Sequence, residues 1–193
     1  MEITQKKGRN KYTFSFGDGK LNYAYQEKSG KGDVDIYYGD IPKKTSEFIE
    51  ENEWLRNVGA LWLLLGIGQT GYSTYLEGAL KLDLLWIVVG ALCLMWSQLS
   101  KITYTVYRTE EANLFVIQDG KHDDVVKELM TRRKKQLLDW YADINMDNTL
   151  PQEINKFKWL AEQGVLTEEE SKQKIEEAKF YHQSDSNQER LLN

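Results

Sequence analysis

The side chains best able to bind a metal or to transfer a proton are few in this sequence and far apart. It contains two histidines, His122 and His182, and a single cysteine, Cys93. A structural zinc site takes about four Cys or His ligands held close together, and these three residues fall in different predicted elements. We therefore expect no metal site and no bound cofactor.

One acidic run beside a histidine allows two interpretations. His122 is followed directly by Asp123 and Asp124, a grouping that could hold a metal or act in acid–base chemistry. The same run opens a predicted helix, where negative side chains interact favourably with the helix dipole. We favour the second interpretation.

The glycine-rich segments do not have the spacing of a phosphate-binding loop. Gly17-Asp18-Gly19-Lys20 and Gly30-Lys31-Gly32-Asp33 have the composition of hairpin turns and lack the pattern of a P-loop. Neither a nucleophile elbow nor a Ser/His/Asp arrangement is visible. We expect a protein that is not an enzyme and that has no evident small-molecule substrate.

A basic cluster is the one concentrated group of charges with a possible binding role. It consists of Arg132, Arg133, Lys134 and Lys135, in the middle of a predicted helix from about Asp123 to Tyr141. These residues could contact anionic lipid or a partner, or they could form a solvated helix face balanced by nearby acids, which we favour. The net charge of −5 argues against nucleic acid as a partner.

Two uncharged apolar segments, at about 58–76 and 84–100, predict a transmembrane hairpin. Each approaches the roughly 20 residues that cross a bilayer, and the short linker between them returns the chain to its side of entry. Basic residues flank the pair at Arg56 and Lys101, so the positive-inside rule predicts that both termini lie in the cytoplasm of a bacterial cell, with two spans in the inner membrane. The alternative is that both segments are buried helices of a soluble all-α core.

Alternating apolar residues on both sides of this hairpin predict β-strands. Residues 11–41 and 101–142 are expected to form one β-rich domain, with a shared sheet covered by the helix after the last strand. Residues 42–100 would then be an insertion made of a helix over about 42–57 and the transmembrane hairpin. The predicted fold class is α+β, a small antiparallel-sheet domain split by a transmembrane helical hairpin.

A short C-terminal helical hairpin is predicted over 149–181. Thr149 and Gln152 have the spacing of a capping box, Gly164 ends the first helix, and Thr167 caps the second. Residues 182–193 are polar and are predicted to be disordered. So small a pair buries little surface, and we expect it to need a partner or self-association to be stable. Its possible assembly face comprises Ile154, Phe157, Leu160, Val165, Leu166 and Ile175.

Two resemblances follow from these patterns. The strand order and the single helix of 11–41 and 101–142 resemble a pleckstrin-homology-like domain of bacterial membrane proteins. The run from Phe157 to Lys174, with Leu160, Gly164 and Thr167 in place, is similar to the SHOCT module. The first resemblance implies a binding or assembly role without catalysis, and the second implies oligomerisation. An ordinary capped helical hairpin is the alternative to the second.

The sequence therefore predicts a non-catalytic scaffold protein anchored in the inner membrane, which assembles with itself or with partner proteins at the cytoplasmic face. Its expected partners are the lipid bilayer and a second copy or another protein. The alternative is an accessory subunit of a membrane transporter or channel complex. A lipid-modifying enzyme is a third and less favoured possibility, because no polar groups converge on a predicted pocket.

Overall fold

Within residues 1–78 and 84–192, the chain is an α+β protein with seven strands in two antiparallel sheets and five α-helices. The computed structural model describes residues 1–78 and 84–192, with side chains described to residue 183. The strands are β1 (Glu2–Lys7), β2 (Asn10–Phe16), β3 (Lys20–Glu27), β4 (Gly30–Tyr37), β5 (Ser46–Glu50), β6 (Ile102–Arg108) and β7 (Asn113–Ile117). The helices are α1 (Glu53–Glu77), α2 (Leu84–Leu99), α3 (His122–Tyr141), α4 (Leu150–Glu162) and α5 (Glu168–Leu192).

The first sheet is a four-stranded meander in the order β1-β2-β3-β4. Its turns are tight, and Gly8 and Gly19 both adopt positive φ values that disfavour any side chain. Alternate residues point inward, as the period-2 pattern of a half-buried strand requires. The second sheet has the order β5-β6-β7.

The main core lies between the two sheets and is unusually rich in aromatic residues. Tyr12, Phe14 and Tyr23 from the first sheet meet Tyr104 and Leu114 from the second, and all five are almost fully buried. Helix α3 adds Val125 and Leu129 to the same core. The helix therefore closes the sandwich and extends its last turns toward the C-terminal pair.

A side-chain amide joins the two sheets where β1 approaches β7. Gln5 is 1% exposed. It donates from Nε2 to the carbonyl oxygen of Ile117 at 2.8 Å and to Asp119 Oδ1 at 2.7 Å. Its Oε1 accepts the backbone N–H of Ile117 at 2.9 Å. The amide thus occupies the place of a neighbouring strand at this edge of β7.

Helix α5 runs to Leu192, whereas residues 182–193 are predicted to be disordered. Three strand arrangements also differ from the sequence-based expectations. Strands β1 to β4 form one sheet and strands β6 and β7 belong to another, where one shared sheet is predicted. Residues 46–50 form strand β5, which pairs with β6, where a helix over 42–57 is predicted. Strand β1 occupies residues 2–7, which the sequence analysis leaves outside the domain. In each case the pairing partner decides the outcome, because strand formation depends on the neighbouring strand more than on local sequence.

The predicted transmembrane hairpin is wrong. Within residues 1–78 and 84–192, no helix combines the length and the apolar character that crossing a bilayer requires. In α1, polar residues from Gln69 to Thr74 dilute the second half. Helix α2 has 16 residues, about 24 Å at 1.5 Å per residue, against about 30 Å of hydrocarbon. The predicted membrane-split fold class is therefore also wrong, as is the predicted inner-membrane localisation with both termini cytoplasmic. The predicted linker at 79–83 lies outside the described residues.

Gln5→Ala is expected to lower the free energy of unfolding by about 1–3 kcal/mol, because it leaves the buried N–H of Ile117 without an acceptor. Chemical denaturation followed by circular dichroism measures the change. Gln26→Ala, at an exposed position of β3, is the matched control and should change stability by less than about 0.5 kcal/mol. Equal effects of the two substitutions would show that Gln5 does not join the sheets.

Candidate functional site

Helices α1 and α2 form a closely packed antiparallel pair, which we call the apolar hairpin. Glycines bring the two backbones together: a Cβ added at Gly90 would lie 2.7 Å from the backbone nitrogen of Leu63, and one at Gly66 would lie 2.8 Å from Cγ1 of Ile87. The rings of Trp62 and Trp86 stack in parallel with their centroids 4.4 Å apart. The hairpin is therefore held by its own inner face.

The outer surface of the apolar hairpin is uncharged and strongly apolar. No Asp, Glu, Lys, Arg or His occurs in 58–76 or in 84–100. Apart from tyrosines, twelve large apolar side chains of these segments are between 50% and 69% exposed, and these are Leu61, Leu64, Leu65, Ile67, Leu76, Leu84, Leu85, Val88, Leu92, Met95, Trp96 and Leu99. Exposed apolar surface of this extent is typical of an interaction site.

The base of the apolar hairpin is fixed to the second sheet. Asn52 caps α1 by accepting the N–H of Leu55 at 3.1 Å. Glu51 forms ion pairs with Arg56 at the start of α1 and with Lys101 after α2, the latter at 3.1 Å. These contacts join the entry and exit of the hairpin, so the apolar surface is held at one place on the sheet domain.

The predicted assembly face of the C-terminal helical pair lies inside the chain. Phe157, Leu160 and Val165 are almost fully buried in a second small core with Leu137 of α3 and Ala178 of α5. Leu166 and Ile175 pack against that core, and Ile154 is half-buried. These side chains therefore cover one another and the end of α3, and they do not form an open surface.

A buried carboxylate holds the start of the helical pair. Glu153 is 0% exposed. It accepts hydrogen bonds from Asn148 at 2.7 Å and from Lys156 at 2.7 Å. Burial favours the protonated form, but these donors outweigh it and lower the pKa of the Glu153 carboxyl. The carboxylate is therefore ionised and connects α4 to the loop before it.

The structure divides the predicted basic cluster. Arg133 is buried and donates to the carbonyl oxygen of Ile41 at 2.6 Å and to Gln163 Oε1 at 2.6 Å, so it joins the sheet domain to the helical pair. Burial lowers the pKa of its guanidinium. Arg132 is paired with Glu128. Of the four residues, only Lys134 and Lys135 are exposed, and contact of this cluster with a lipid or partner stays a prediction.

The residues considered for metal chemistry are not brought together. His122 contacts Thr105 at 2.9 Å and Asp123 at 2.8 Å at the start of α3, while Cys93 lies in α2 and His182 in α5. Among the side chains described to residue 183, no group of three His, Cys, Asp or Glu could hold a metal ion.

A second feature, which we call the aromatic cleft, opens between the sheets near the base of the hairpin. Its volume is about 600 Å³. Its walls are Tyr12, Phe48, Tyr104 and Phe115, and its polar lining is Asn10, Glu27, Lys28, Ser29 and Glu50. Glu50 accepts hydrogen bonds from Asn10 and from Tyr104, both at 2.8 Å.

Sequence reasoning missed the aromatic cleft altogether. Asn10 and Tyr104 lie 94 positions apart, and no local pattern signals that they meet. The alternation of Tyr12 and Tyr104 with polar neighbours predicts buried strand positions, and it is silent on which sheet each ring faces. The only local signal is that β3 and β5 end in acidic residues, Glu27 and Glu50. Because charged strand ends are common, this signal does not indicate a binding site.

No protein-family model matches this chain, and the comparisons with curated proteins and with solved structures also return no match. The suggested pleckstrin-homology-like and SHOCT resemblances are therefore without support, and the membrane-split form of the first is contradicted by the helices described above. The protein is therefore described by its architecture alone, which consists of two antiparallel sheets, the apolar hairpin and a C-terminal helical pair.

Gly90→Ala is expected to destabilise the protein by about 1–3 kcal/mol, because the added methyl group meets the backbone of α1 and forces the helices apart. Gly68→Ala is the matched control, since a Cβ there meets nothing within 4 Å and alanine favours the helix by about 1 kcal/mol. Denaturation at equal protein concentration should therefore move the two variants in opposite directions. A stabilised Gly90→Ala variant would contradict the close packing.

Glu153→Gln is expected to lower stability by about 1–3 kcal/mol at pH 7, because a charged acceptor of several hydrogen bonds is lost. The folded pKa lies below the usual 4.5, so this stabilisation is complete above about pH 5 and is lost as the pH falls through the folded value. The stability difference between wild type and variant should shrink toward pH 3. Glu176→Gln, at an exposed ion pair, should show little difference at any pH.

Proposed function

We propose that this chain is a non-catalytic assembly protein whose apolar hairpin binds the apolar hairpin of a second copy. The observation that carries the proposal is the uncharged outer surface of residues 58–76 and 84–99, where, apart from tyrosines, twelve large apolar side chains are at least half exposed. In water such a surface is unfavourable until it is covered. The sheet domain and the helical pair then serve to present this surface.

The available apolar area is of the size that a specific protein interface uses. Fully burying one such side chain stabilises a protein by about 1.5–3 kcal/mol at about 25 cal/mol per Å², so each offers on the order of 100 Å². With half to two-thirds of each side chain exposed, the twelve together offer roughly 700 Å². A stable complex buries about 800 Å² per partner.

The chemistry of the surface favours a second copy over a charged partner. The described helices carry no charge between residues 58 and 76 or between 84 and 99, so they offer no ion-pair partner to a charged surface. A second copy presents the same uncharged leucine-rich face, and burying two such faces desolvates no charge. A two-fold arrangement would place two hairpins together as four antiparallel helices, which is a common way of burying such faces.

The absence of catalysis is part of the same proposal. It is supported by the placement of His122, Cys93 and His182 on separate elements. It is also supported by the basic side chains, because Arg132 is bonded to Glu128 and Arg133 to the carbonyl oxygen of Ile41. The main contribution of the fold is to hold the apolar hairpin in one place. The hairpin is about 38 Å long, from the 25 residues of α1 at 1.5 Å each.

Leu64→Glu is expected to weaken self-association at least 100-fold, because each copy would bury an unpaired carboxylate in the interface. Leu64 is 68% exposed, so the substitution leaves the inner packing of the hairpin intact. Sedimentation equilibrium of the purified chain should show at least twice the 22.5 kDa of one copy for wild type and one copy for the variant.

Phe180→Glu is the matched control for this experiment. Phe180 is 69% exposed on α5, so the control adds the same charge at an equally exposed apolar position outside the hairpin. It should associate as wild type does. A wild-type monomer at micromolar concentration, an aggregate that Leu64→Glu leaves unchanged, or equal effects of the two substitutions would each refute the proposal.

A further inference from the structure

The polar groups of the aromatic cleft are arranged so that their donors are already used. The hydroxyl of Tyr12 donates to Glu27 Oε1 at 2.8 Å, and the hydroxyl of Tyr104 donates to Glu50 Oε2 at 2.8 Å. The Nδ2 of Asn10 donates to the same carboxylate and to Tyr104. A ligand entering the cleft therefore finds acceptors and few free donors.

The two carboxylates of the cleft have no cationic partner among the described side chains. Within the described side chains, neither Glu27 nor Glu50 forms an ion pair, and Oε1 of Glu50 accepts no hydrogen bond. Ser29 reaches the second oxygen of Glu27 at 3.2 Å. Lys28 also lines the cleft and is exposed. It adds a positive charge nearby but pairs with neither Glu27 nor Glu50 among the described contacts.

The tyrosines remain neutral donors across the physiological range. Burial, together with the hydrogen bond to Glu27, raises the pKa of Tyr12 above its ordinary value. Burial, with a contribution from Glu50, raises the pKa of Tyr104 to about 12. The negative charge of the cleft therefore resides on the two carboxylates, at its polar side.

Aromatic rings form the remaining walls. Phe115 lies 5.6 Å from Tyr104 and 6.2 Å from Tyr12 between ring centroids, and Phe48 lies 6.1 Å from both Tyr104 and Phe115. Phe48 is half exposed at the mouth of the cleft. Ring faces attract cations within about 6 Å, and a cavity with apolar walls and a few convergent polar groups is typical of a binding site.

We propose that the aromatic cleft binds a primary alkylammonium group, with the ammonium between Glu27 and Glu50 and its apolar stem against Phe48 and Phe115. An ammonium ion supplies only donors. This complements a site whose tyrosine, asparagine and serine donors are already used. Among the described lining side chains only the exposed Lys28 has donors left for a sugar or a carboxylate ligand. The same group is carried by a free amine or by a lysine side chain of a peptide.

The test is a titration of the isotope-labelled full chain followed by nuclear magnetic resonance, with the side-chain amide of Asn10 as the reporter. The probes are n-butylammonium, an N-acetylated and C-amidated Gly-Lys-Gly peptide, and 1-butanol as the neutral analogue. We expect saturable shifts with both ammonium probes and none with 1-butanol. Peptide binding at least tenfold tighter than butylammonium assigns the lysine source, and equal affinities assign a free amine.

Isosteric variants separate charge from shape. Glu27→Gln and Glu50→Gln can still accept the hydrogen bonds of Tyr12 and Tyr104, so the cleft keeps its form while losing a charge. Each should weaken ammonium binding at least tenfold. Asp35→Asn is the matched control, since Asp35 accepts from Asn22 on the exposed face of the same sheet, and it should leave the affinity within twofold.

Three results would overturn the inference. The first is that neither ammonium probe saturates the protein by about 50 mM. The second is that 1-butanol causes shifts equal to those of the ammonium probes. The third is that both glutamine variants bind the ammonium probes with unchanged affinity. Repeating the titration with Leu64→Glu shows that the result does not rest on self-association. Binding to that variant with wild-type affinity is expected, since no cleft residue lies in the apolar hairpin.

Discussion

The pairing of β5 with β6 is the constraint on which both surfaces depend. These strands lie on either side of the helical insertion, yet they are neighbours in one ladder, from Ser46 opposite Val106 to Glu50 opposite Ile102. The ladder places the start of α1 beside the end of α2. It also places Glu50 and Tyr104 on adjacent strands, where they form one side of the aromatic cleft. The hairpin and the cleft therefore share a single support.

Side chains, more than backbone pairing, connect the larger parts of the molecule. Gln5 joins the two sheets at β1 and β7, and Arg133 joins the sheet domain to the C-terminal pair through Ile41 and Gln163. Both side chains are buried, and both form hydrogen bonds to backbone groups of distant parts of the chain. Because each polar contact is enclosed, the three parts are held in fixed relation at these points.

Local patterns predicted the local elements, and they failed wherever distant residues decide. Period-2 alternation predicts strands such as β2 and β3, and the spacing of Thr149 and Gln152 predicts the start of α4, which carries that capping box. Strand β5 is set by β6, which lies more than 50 residues away, and a helix was expected there. The apolar segments predict membrane spans that the structure contradicts, because uncharged composition alone does not distinguish lipid from a protein partner. The cleft combines residues from five strands, so no sequence window contains it.

The closure of the β5–β6 ladder has a consequence for how this chain tolerates change. The insertion leaves and re-enters the domain at directly opposed residues, Glu50 and Ile102, and residues so opposed can be linked by a two-residue hairpin turn. In topological terms the apolar hairpin is therefore a removable insertion, because no strand pairing of the two sheets depends on it. A shorter or different insertion need not alter the sheets, so the same two sheets can carry insertions of other lengths and surfaces.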